Sequence, residues 1–210
     1  GGGTGITPEA GGVTGVGPST GVRPADGVVN AAGPWAPGVN ELVGVDAPLR
    51  HTEGPMLVLT GDRSGSLPFV FFEEGLYFRE EGVSQVFAGK LATEYGESER
   101  VNPSRALSIP ESMYDQVDTT TRTYLKRLLD FDVTNEWNGL RLVTPDGRCI
   151  VDETRVDGYV LACGMSGYGV TLAPAVGELL AEWLTTGRKP EPLEPLALGR
   201  FDGVASTAND

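Results

Sequence analysis

The feature that most constrains the fold of this chain is a strand, a glycine-rich turn and a helix that follow one another near its C-terminal end. Residues 158–163 (GYVLAC) form a short apolar stretch that predicts a buried strand. Gly164–Gly169 (GMSGYG) is the turn, and residues 170–186 repeat apolar positions at helical spacing, with Gly187 just past the end. Free N–H groups at such a helix start fit an anionic or electron-rich ligand group, although many such junctions bind nothing.

The same turn resembles the nucleophile elbow G-x-S-x-G, but Tyr168 stands where the last glycine is required. His51 is the single histidine of the chain and the one imidazole available as a base. We therefore predict that Ser166 is a turn or capping residue and not a nucleophile. Cys149 and Cys163 lie in no metal-ligand spacing, so we predict reduced thiols without a catalytic role, and no metal site.

The charge balance narrows the classes of partner. Acidic residues outnumber basic ones 29 to 16, for a net charge of −13, which argues against a nucleic-acid partner and a polybasic membrane anchor. No apolar run is long enough for a transmembrane helix and no signal peptide is visible, so we expect a cytoplasmic protein. Only three of the 16 basic residues are Lys, which suggests a halophilic source.

The rest of the chain predicts mostly short strands. The first dozen residues are expected to be a loose end, and VVNAAG (28–33) a short buried strand that ends in a tight turn of small residues. Further strands are predicted at 13–16, 21–23, 56–59, 69–72, 76–79 and 85–88, the last four forming an antiparallel sheet. A helix is predicted over 111–130, a polar turn over 151–158 and an extended segment over 191–198.

Four segments carry a resemblance to a known family: VVNAAGPWAPGV (28–39), GLYFREEG (75–82), WNGLRLVTPDGRCIVDE (137–153) and YVLACGMSGYGVTLAPAVGELLAEWL (159–184). In this order they resemble the D-amino-acid oxidase/glycine oxidase/sarcosine oxidase superfamily of FAD-dependent amine oxidoreductases. The resemblance implies an α/β plus antiparallel β fold. Residues 1–48 would end an FAD-binding Rossmann-like domain, 49–148 would form an inserted antiparallel-sheet substrate domain, and 149–210 would return to the FAD domain.

Only the C-terminal part of such a protein is matched. The family's N-terminal strand–GxGxxG–helix, which supplies most ADP contacts, has no counterpart, since the Gly-rich residues 1–27 do not fit GxGxxG. We therefore expect a fragment, or one half of a split protein. The alternative function is a non-catalytic binding or assembly subunit that needs a partner to complete the flavin site.

The resemblance also implies roles for single residues. The strand end beneath the flavin's ribityl and diphosphate groups would be formed by Ala31, Ala32, Gly33 and Trp35. The loop and helix start facing the pyrimidine edge of the flavin would be formed by Gly164, Met165, Ser166, Gly167, Gly169, Val170 and Thr171. Arg141 would hold the substrate carboxylate and Tyr77 would line the substrate pocket. A surface ion pair for Arg141 and a half-buried strand aromatic for Tyr77 are the alternatives.

Departures from the family pattern refine these expectations. The position similar to the flavin-linking Cys of monomeric sarcosine oxidases is near Gly139, so we expect non-covalent FAD. Phe87 stands where those oxidases place a Lys that helps oxygen react, which favours a dehydrogenase with a non-oxygen acceptor. The implied reaction is hydride transfer from an amine or amino acid to flavin N5. His51 is expected to be an ordinary residue at a strand end.

Overall fold

The computed structural model of the protein describes residues 4–9, 12–18, 21, 23–62, 66–91, 95 and 101–203. Its described residues form two compact units. Unit 1 draws on the ranges 1–51, 95–100 and 141–210, and unit 2 on 52–94 and 101–140. The functional division at 1–48, 49–148 and 149–210 stays a prediction. Within the described part of the chain, no helix combines the length and apolarity needed to span a bilayer.

The central sheet of unit 1 consists of β4 (Val28–Asn30), β10 (Ile150–Glu153) and β11 (Tyr159–Cys163), in the order β10-β11-β4. β11 runs antiparallel to β10 and parallel to β4. All five residues of β11 are buried, as expected for an apolar run in the middle of a covered sheet. The predicted strand over 158–163 is therefore present, and its parallel partner is the predicted strand that begins at Val28.

Both faces of this sheet are covered. On one face, α3 (Gly169–Thr186) packs Val176, Leu180 and Trp183 against the sheet residues Val160 and Ala162. The opposite face is covered mainly by residues of α1 (Ala36–Glu41), the loop that follows it and the C-terminal segment, namely Ala36, Val45, Ala47, Leu49 and Phe201. The helix predicted over 170–186 is thus confirmed, and Gly187 ends it in a left-handed conformation.

The N-terminal end of unit 1 differs from the expectation. β1 (Thr4–Glu9), β2 (Gly12–Pro18) and β3 (Arg23–Pro24) form an antiparallel sheet in that order. The prediction of a loose end is therefore wrong for residues 4–9, because backbone pairing with β2 holds this stretch although its sequence lacks an alternating apolar pattern. Residues 1–3, 10, 11 and 22, which belong to the same predictions, lie outside the described part of the chain.

Unit 2 is built on a five-stranded sheet in the order β6-β7-β8-β5-β9. Its strands are β5 (Arg50–Thr60), β6 (Val70–Phe71), β7 (Leu76–Glu81), β8 (Gln85–Lys90) and β9 (Asp132–Val143). The pairs β6–β7, β7–β8 and β8–β5 are antiparallel, as predicted. α2 (Glu111–Tyr124) buries Met113 and Val117 against Leu57, Phe78 and Val86 of the sheet.

Three local predictions need correction, and one strand was not predicted. The helix predicted over 111–130 ends at Tyr124, because Leu125 leaves the helical conformation, and a 3₁₀ turn follows at Lys126–Leu128. β9 was not predicted, because the first half of the strand is exposed and shows no alternation. The polar turn predicted over 151–158 begins as a strand, since β10 runs to Glu153. The extended segment predicted over 191–198 is a 3₁₀ helix at Glu191–Leu196, where Leu193 is buried in the core.

Candidate functional site

The two predicted cofactor segments emerge at the same edge of the unit 1 sheet. Val28 pairs with Tyr159 and Asn30 pairs with Leu161 in a parallel ladder. The chain leaves β4 into Ala31–Trp35 and leaves β11 into Gly164–Tyr168, so both segments follow the carboxyl ends of neighbouring parallel strands. Ligands of α/β sheets bind outside this edge. The structure therefore brings together two segments that lie far apart in the sequence.

The segment after β4 is shaped by a buried amide. The Nδ2 group of Asn30 donates to the carbonyl of Ala36 at 2.9 Å, to Oδ1 of Asn40 at 2.8 Å and to the hydroxyl of Tyr159 at 2.9 Å. The Tyr159 hydroxyl in turn donates to Oδ1 of Asn40 at 2.8 Å, and burial raises the pKa of Tyr159 to about 12. Oδ1 of Asn30 accepts a bond from the N–H of Ala32 at 3.1 Å. This network holds the strand end in one shape.

The turn itself is a short 3₁₀ helix over Gly33–Trp35. Gly33 has a φ of +53°, a conformation that favours glycine, and an added Cβ there would meet no atom within 4 Å. His51 is buried, and its Nε2–H donates to the carbonyl of Pro34 at 2.7 Å; the tautomer follows because a carbonyl can only accept. Ala31 and Gly33 are exposed, and the indole of Trp35 is 53% exposed, so small and aromatic groups line an open surface.

The segment after β11 is a left-handed loop. Gly164, Ser166 and Gly167 have φ values of +69°, +52° and +89°. Among the described residues Ser166 is the one non-glycine residue with positive φ. Its Oγ donates to the carbonyl of Gly164 at 3.4 Å and its N–H donates to the carbonyl of Leu142 at 2.9 Å. The side chain is buried and turned back on its own loop, which suits a turn residue and not a nucleophile.

The start of α3 leaves donors available. Tyr168 occupies the N-cap position without a capping side-chain bond, and the first turn, which the structure describes completely, holds no acidic residue. The first helical bond runs from the N–H of Leu172 to the carbonyl of Tyr168 at 2.9 Å. The N–H groups of Gly169, Val170 and Thr171 precede that bond, and Val170 is 94% exposed. Met165, by contrast, packs against the core beneath α3.

Arg141 lies directly beside this loop. It sits near the end of β9 in unit 1, is half-buried, and its side chain passes over Gly167. A Cβ atom added to Gly167 would stand 2.9 Å from Cδ and 3.5 Å from Nη1 of Arg141. The structure therefore places the predicted carboxylate-binding residue against the predicted cofactor loop. The other predicted substrate residue, Tyr77, belongs to unit 2.

Tyr77 lies on β7 and faces Gly89 on the neighbouring strand. An added Cβ at Gly89 would stand 2.4 Å from the Tyr77 ring, and Phe69 stacks on the same ring at 5.5 Å between centroids. Phe87, at the position expected for a Lys in oxygen-using relatives, packs edge-to-face on Trp137 at 5.4 Å. This sheet surface of unit 2 is therefore aromatic.

The two cysteines do not belong to either loop. Both are free and buried, and burial raises the pKa of Cys149 and raises that of Cys163 to about 12. Neither thiol is an ionised nucleophile at neutral pH. Among the residues that the structure describes, no three His, Cys, Asp or Glu side chains are placed to hold a metal ion.

Sequence reasoning missed the residues that support the site. Asn30, Asn40 and Tyr159 hold the first segment, and Leu142 and Thr144 contact the second. One of these supporting residues could have been found from the sequence, because Asn30 is a polar residue at the end of an apolar run. Its partners could not be identified, since Tyr159 lies 129 positions away.

Known proteins share both sequence and fold with this chain. It is 30% identical over 178 residues to the D-amino acid dehydrogenase of Methylobacterium radiotolerans, covering 84% of this chain and 41% of that protein. It is 28% identical over 188 residues to the glycine oxidase of Pseudomonas putida, covering 89% and 49%. The chain thus spans at most about half of these relatives.

Solved structures show the same fold. The L-proline dehydrogenase from P. horikoshii superposes with a TM-score of 0.79 at 24% identity, over 95% of this chain and 53% of that one. The glycine oxidase from Geobacillus kaustophilus superposes with a TM-score of 0.76 at 20% identity, over 93% and 51%. The predicted fold class, α/β plus antiparallel β, is confirmed. Residues 3–183 match the family model described as FAD dependent oxidoreductase, and the chain belongs to this DAO family.

Proposed function

We propose that this chain is the flavin-edge and substrate-binding part of an FAD-dependent oxidoreductase that acts on an amine or amino acid. The observation that carries the proposal is the pairing of β4 with β11, which brings Ala31–Trp35 and Gly164–Tyr168 to one sheet edge with Arg141 beside them. The relatives named as amino acid dehydrogenase and glycine oxidase support the same reaction class. They do not favour the alternative of a non-catalytic assembly subunit.

The residues at this edge fit an FAD molecule. Ala31 and Gly33 are small and exposed, so a ligand can approach the backbone closely. The N–H groups of Gly169–Thr171 and the positive end of the α3 dipole stabilise negative charge, which reduced flavin carries at its pyrimidine edge. Cys149 and Cys163 are buried in the sheet region, so we propose non-covalent binding. The ADP contacts would come from a segment outside these 210 residues.

When bound, FAD would supply the redox chemistry, namely an acceptor for the hydride that leaves the carbon next to the substrate nitrogen. Arg141 would bind the substrate carboxylate through two parallel N–H···O bonds and so fix the distance of that carbon from the cofactor edge. The role predicted for Tyr77, which lies on the aromatic sheet surface of unit 2, stays a prediction. We propose that the substrate arrives as the neutral amine, so that the hydride transfer needs no general base.

The electron acceptor is proposed to be a molecule other than oxygen. Phe87 is apolar and is held by the ring of Trp137 and by the guanidinium of Arg79 at 5.2 Å from its centroid. It offers no positive charge to stabilise reduced oxygen species, which a Lys at that position would supply. A dye-linked dehydrogenase assay is therefore expected to give faster turnover than an oxygen-electrode assay.

The decisive experiment uses the full-length gene product loaded with FAD. Anaerobic mixing with glycine and with single D- and L-amino acids is followed by loss of the oxidised flavin absorbance. Bleaching by at least one amino acid, lost in Arg141→Ala and kept in the exposed control Arg188→Ala, is the expected result. A protein that holds FAD but is bleached by none of these substrates or simple amines would contradict the proposal.

A further inference from the structure

We infer that Gly167 is a positioning residue for Arg141, and that it couples the site of the substrate carboxylate to the loop at the flavin edge. The inference rests on the carboxylate role proposed for Arg141 and deepens it. It adds that the orientation of the guanidinium is set by the absence of a side chain at position 167, and not by β9 alone.

The contact between the two residues is close. A Cβ at Gly167 would lie 2.9 Å from Cδ of Arg141, 3.5 Å from Nη1 and 3.9 Å from Cγ. Carbon atoms in van der Waals contact stand about 3.5–4.0 Å apart, so a methyl group at 167 would overlap the middle of the Arg141 side chain. The clash falls on Cδ, which lies between the backbone and the guanidinium. The Arg141 side chain must therefore rotate to relieve the clash, and this rotation moves the guanidinium.

The loop Gly164–Tyr168 also contacts β9, and the residue that follows β9, at two further points. The Ser166 N–H donates to the carbonyl of Leu142 at 2.9 Å. A Cβ at Gly164 would lie 2.6 Å from Cγ2 of Thr144, so this glycine also allows close approach. Three successive contacts therefore join the loop to Arg141, Leu142 and Thr144. The loop that would face the flavin and the arginine that would hold the substrate form one packed pair.

This arrangement has a functional consequence. A hydride donor must be held against its acceptor within a few tenths of an ångström. In this chain the arginine that would fix the substrate touches the loop that would fix the flavin. A displacement of either one would therefore displace the other. A side chain at position 167 would displace Arg141 relative to the loop, although both the guanidinium and the loop would still be present.

Backbone strain must be separated from the Arg141 contact in any test. Gly167 has a φ of +89°, so every L-residue is strained there. Gly203 has a φ of +92° and Gly187 has a φ of +71°, and an added Cβ meets no atom within 4 Å at either position. Gly203→Ala and Gly187→Ala therefore carry similar strain without the contact, and they serve as matched controls.

The first experiment is a double-mutant cycle on the unfolding midpoint of the full-length gene product. Gly167→Ala is expected to lower the midpoint more than either control does. It is expected to lower the midpoint less when Arg141→Ala is also present, because the methyl group then meets no Cδ. An equal effect with and without Arg141→Ala would overturn the inference. If Gly167→Ala does not fold, folding of the double variant supports it, and failure of both, with the controls folded, overturns it.

The second experiment uses benzoate as a carboxylate probe, titrated into the FAD-loaded protein and read from the flavin absorbance. Gly167→Ala is expected to weaken benzoate binding about tenfold or more, the loss expected when a charge-assisted hydrogen bond is broken. Benzoate binding is compared at full FAD occupancy in the wild type and the variant. Unaltered benzoate binding in Gly167→Ala would overturn the inference. Absence of any Arg141 effect on benzoate would instead overturn the carboxylate role, while the stability cycle still decides whether Gly167 positions Arg141.

Discussion

His51 is hydrogen-bonded through its Nε2–H to the carbonyl oxygen of Pro34, across a distance of 2.7 Å. The bond joins β5 to the turn that follows β4, and both partners belong to unit 1. A histidine expected to be an ordinary strand-end residue therefore supports one of the two segments of the candidate site.

Removing this imidazole is expected to loosen the turn. His51→Ala leaves the Pro34 carbonyl without its donor and creates a small cavity, and we expect a loss of about 1–3 kcal/mol in the free energy of unfolding. Chemical denaturation of the full-length gene product measures it. His51→Gln keeps an N–H donor of similar reach and should recover part of the loss. Equal stability of wild type and His51→Ala would show that the bond contributes nothing.

The buried network around Asn30 is expected to be more sensitive. Asn30→Ala leaves Asn40 and Tyr159 without a common donor, so we expect a loss of about 2–4 kcal/mol. Tyr159→Phe removes one hydroxyl and should cost about 1–2 kcal/mol. Thr185→Ala, at an exposed position on α3, is the control and should change stability little. A smaller effect for Asn30→Ala than for Thr185→Ala would contradict the assigned network.

Asp146 gives unit 1 an acid-sensitive contact. Hydrogen bonds from the Arg200 guanidinium hold the pKa of Asp146 at about 2, below its ordinary value of 3.8. A lowered folded-state pKa means that the stabilisation is complete above about pH 4 and is lost as the pH falls toward 2. Asp146→Asn should flatten the fall in stability across this window, as measured by denaturation at stepped pH.

The control for Asp146 is a pair on the surface of α2. The carboxylate of Asp118 accepts a bond from Arg122 at 2.7 Å, and both side chains are exposed. Solvent screens such pairs, so Asp118→Asn should change the acid profile little. A larger change from Asp118→Asn than from Asp146→Asn would refute the assignment.

A side chain at position 89 is expected to destabilise the protein. A Cβ there would meet the Tyr77 ring at 2.4 Å, and Phe69 stacks on the same ring. Gly89→Ala should therefore displace Tyr77 and lower the thermal midpoint by several degrees. Gly139→Ala, on β9 of the same sheet and with nothing within 4 Å, should leave the midpoint nearly unchanged. Near-ultraviolet circular dichroism should report the altered aromatic packing in Gly89→Ala alone.

The 210-residue chain on its own is expected to bind FAD weakly. It matches 41% and 49% of two curated relatives and contains no GxGxxG segment for the diphosphate, so it would contact only part of the cofactor. Equilibrium dialysis of the purified chain against FAD is expected to show sub-stoichiometric binding at micromolar concentrations. Stoichiometric FAD after purification would contradict this expectation and the proposal that ADP contacts lie elsewhere.

Local patterns were readable in the sequence, whereas long-range pairing was not. The helix that ends at Gly187 and the turn before it were predicted because helical spacing and glycine positions are local signals. β1 and β9 were missed because their strands are held by distant partners and not by an apolar alternation. The resemblance placed Arg141 and the Gly164–Gly169 loop in one site, but their contact at Gly167 became visible only in the structure.

The pairing of β4 with β11 also determines when the site can form during synthesis. Asn30 leaves the ribosome 129 residues before Tyr159, its hydrogen-bonding partner on the neighbouring strand. Closing so long a loop is entropically costly and slow, and β4 cannot pair with β11 until Tyr159–Cys163 has emerged. Nascent chains would therefore hold this edge of β4 unpaired while the residues between the two strands are synthesised, and the two segments of the candidate site would meet only after Gly164–Tyr168 has emerged.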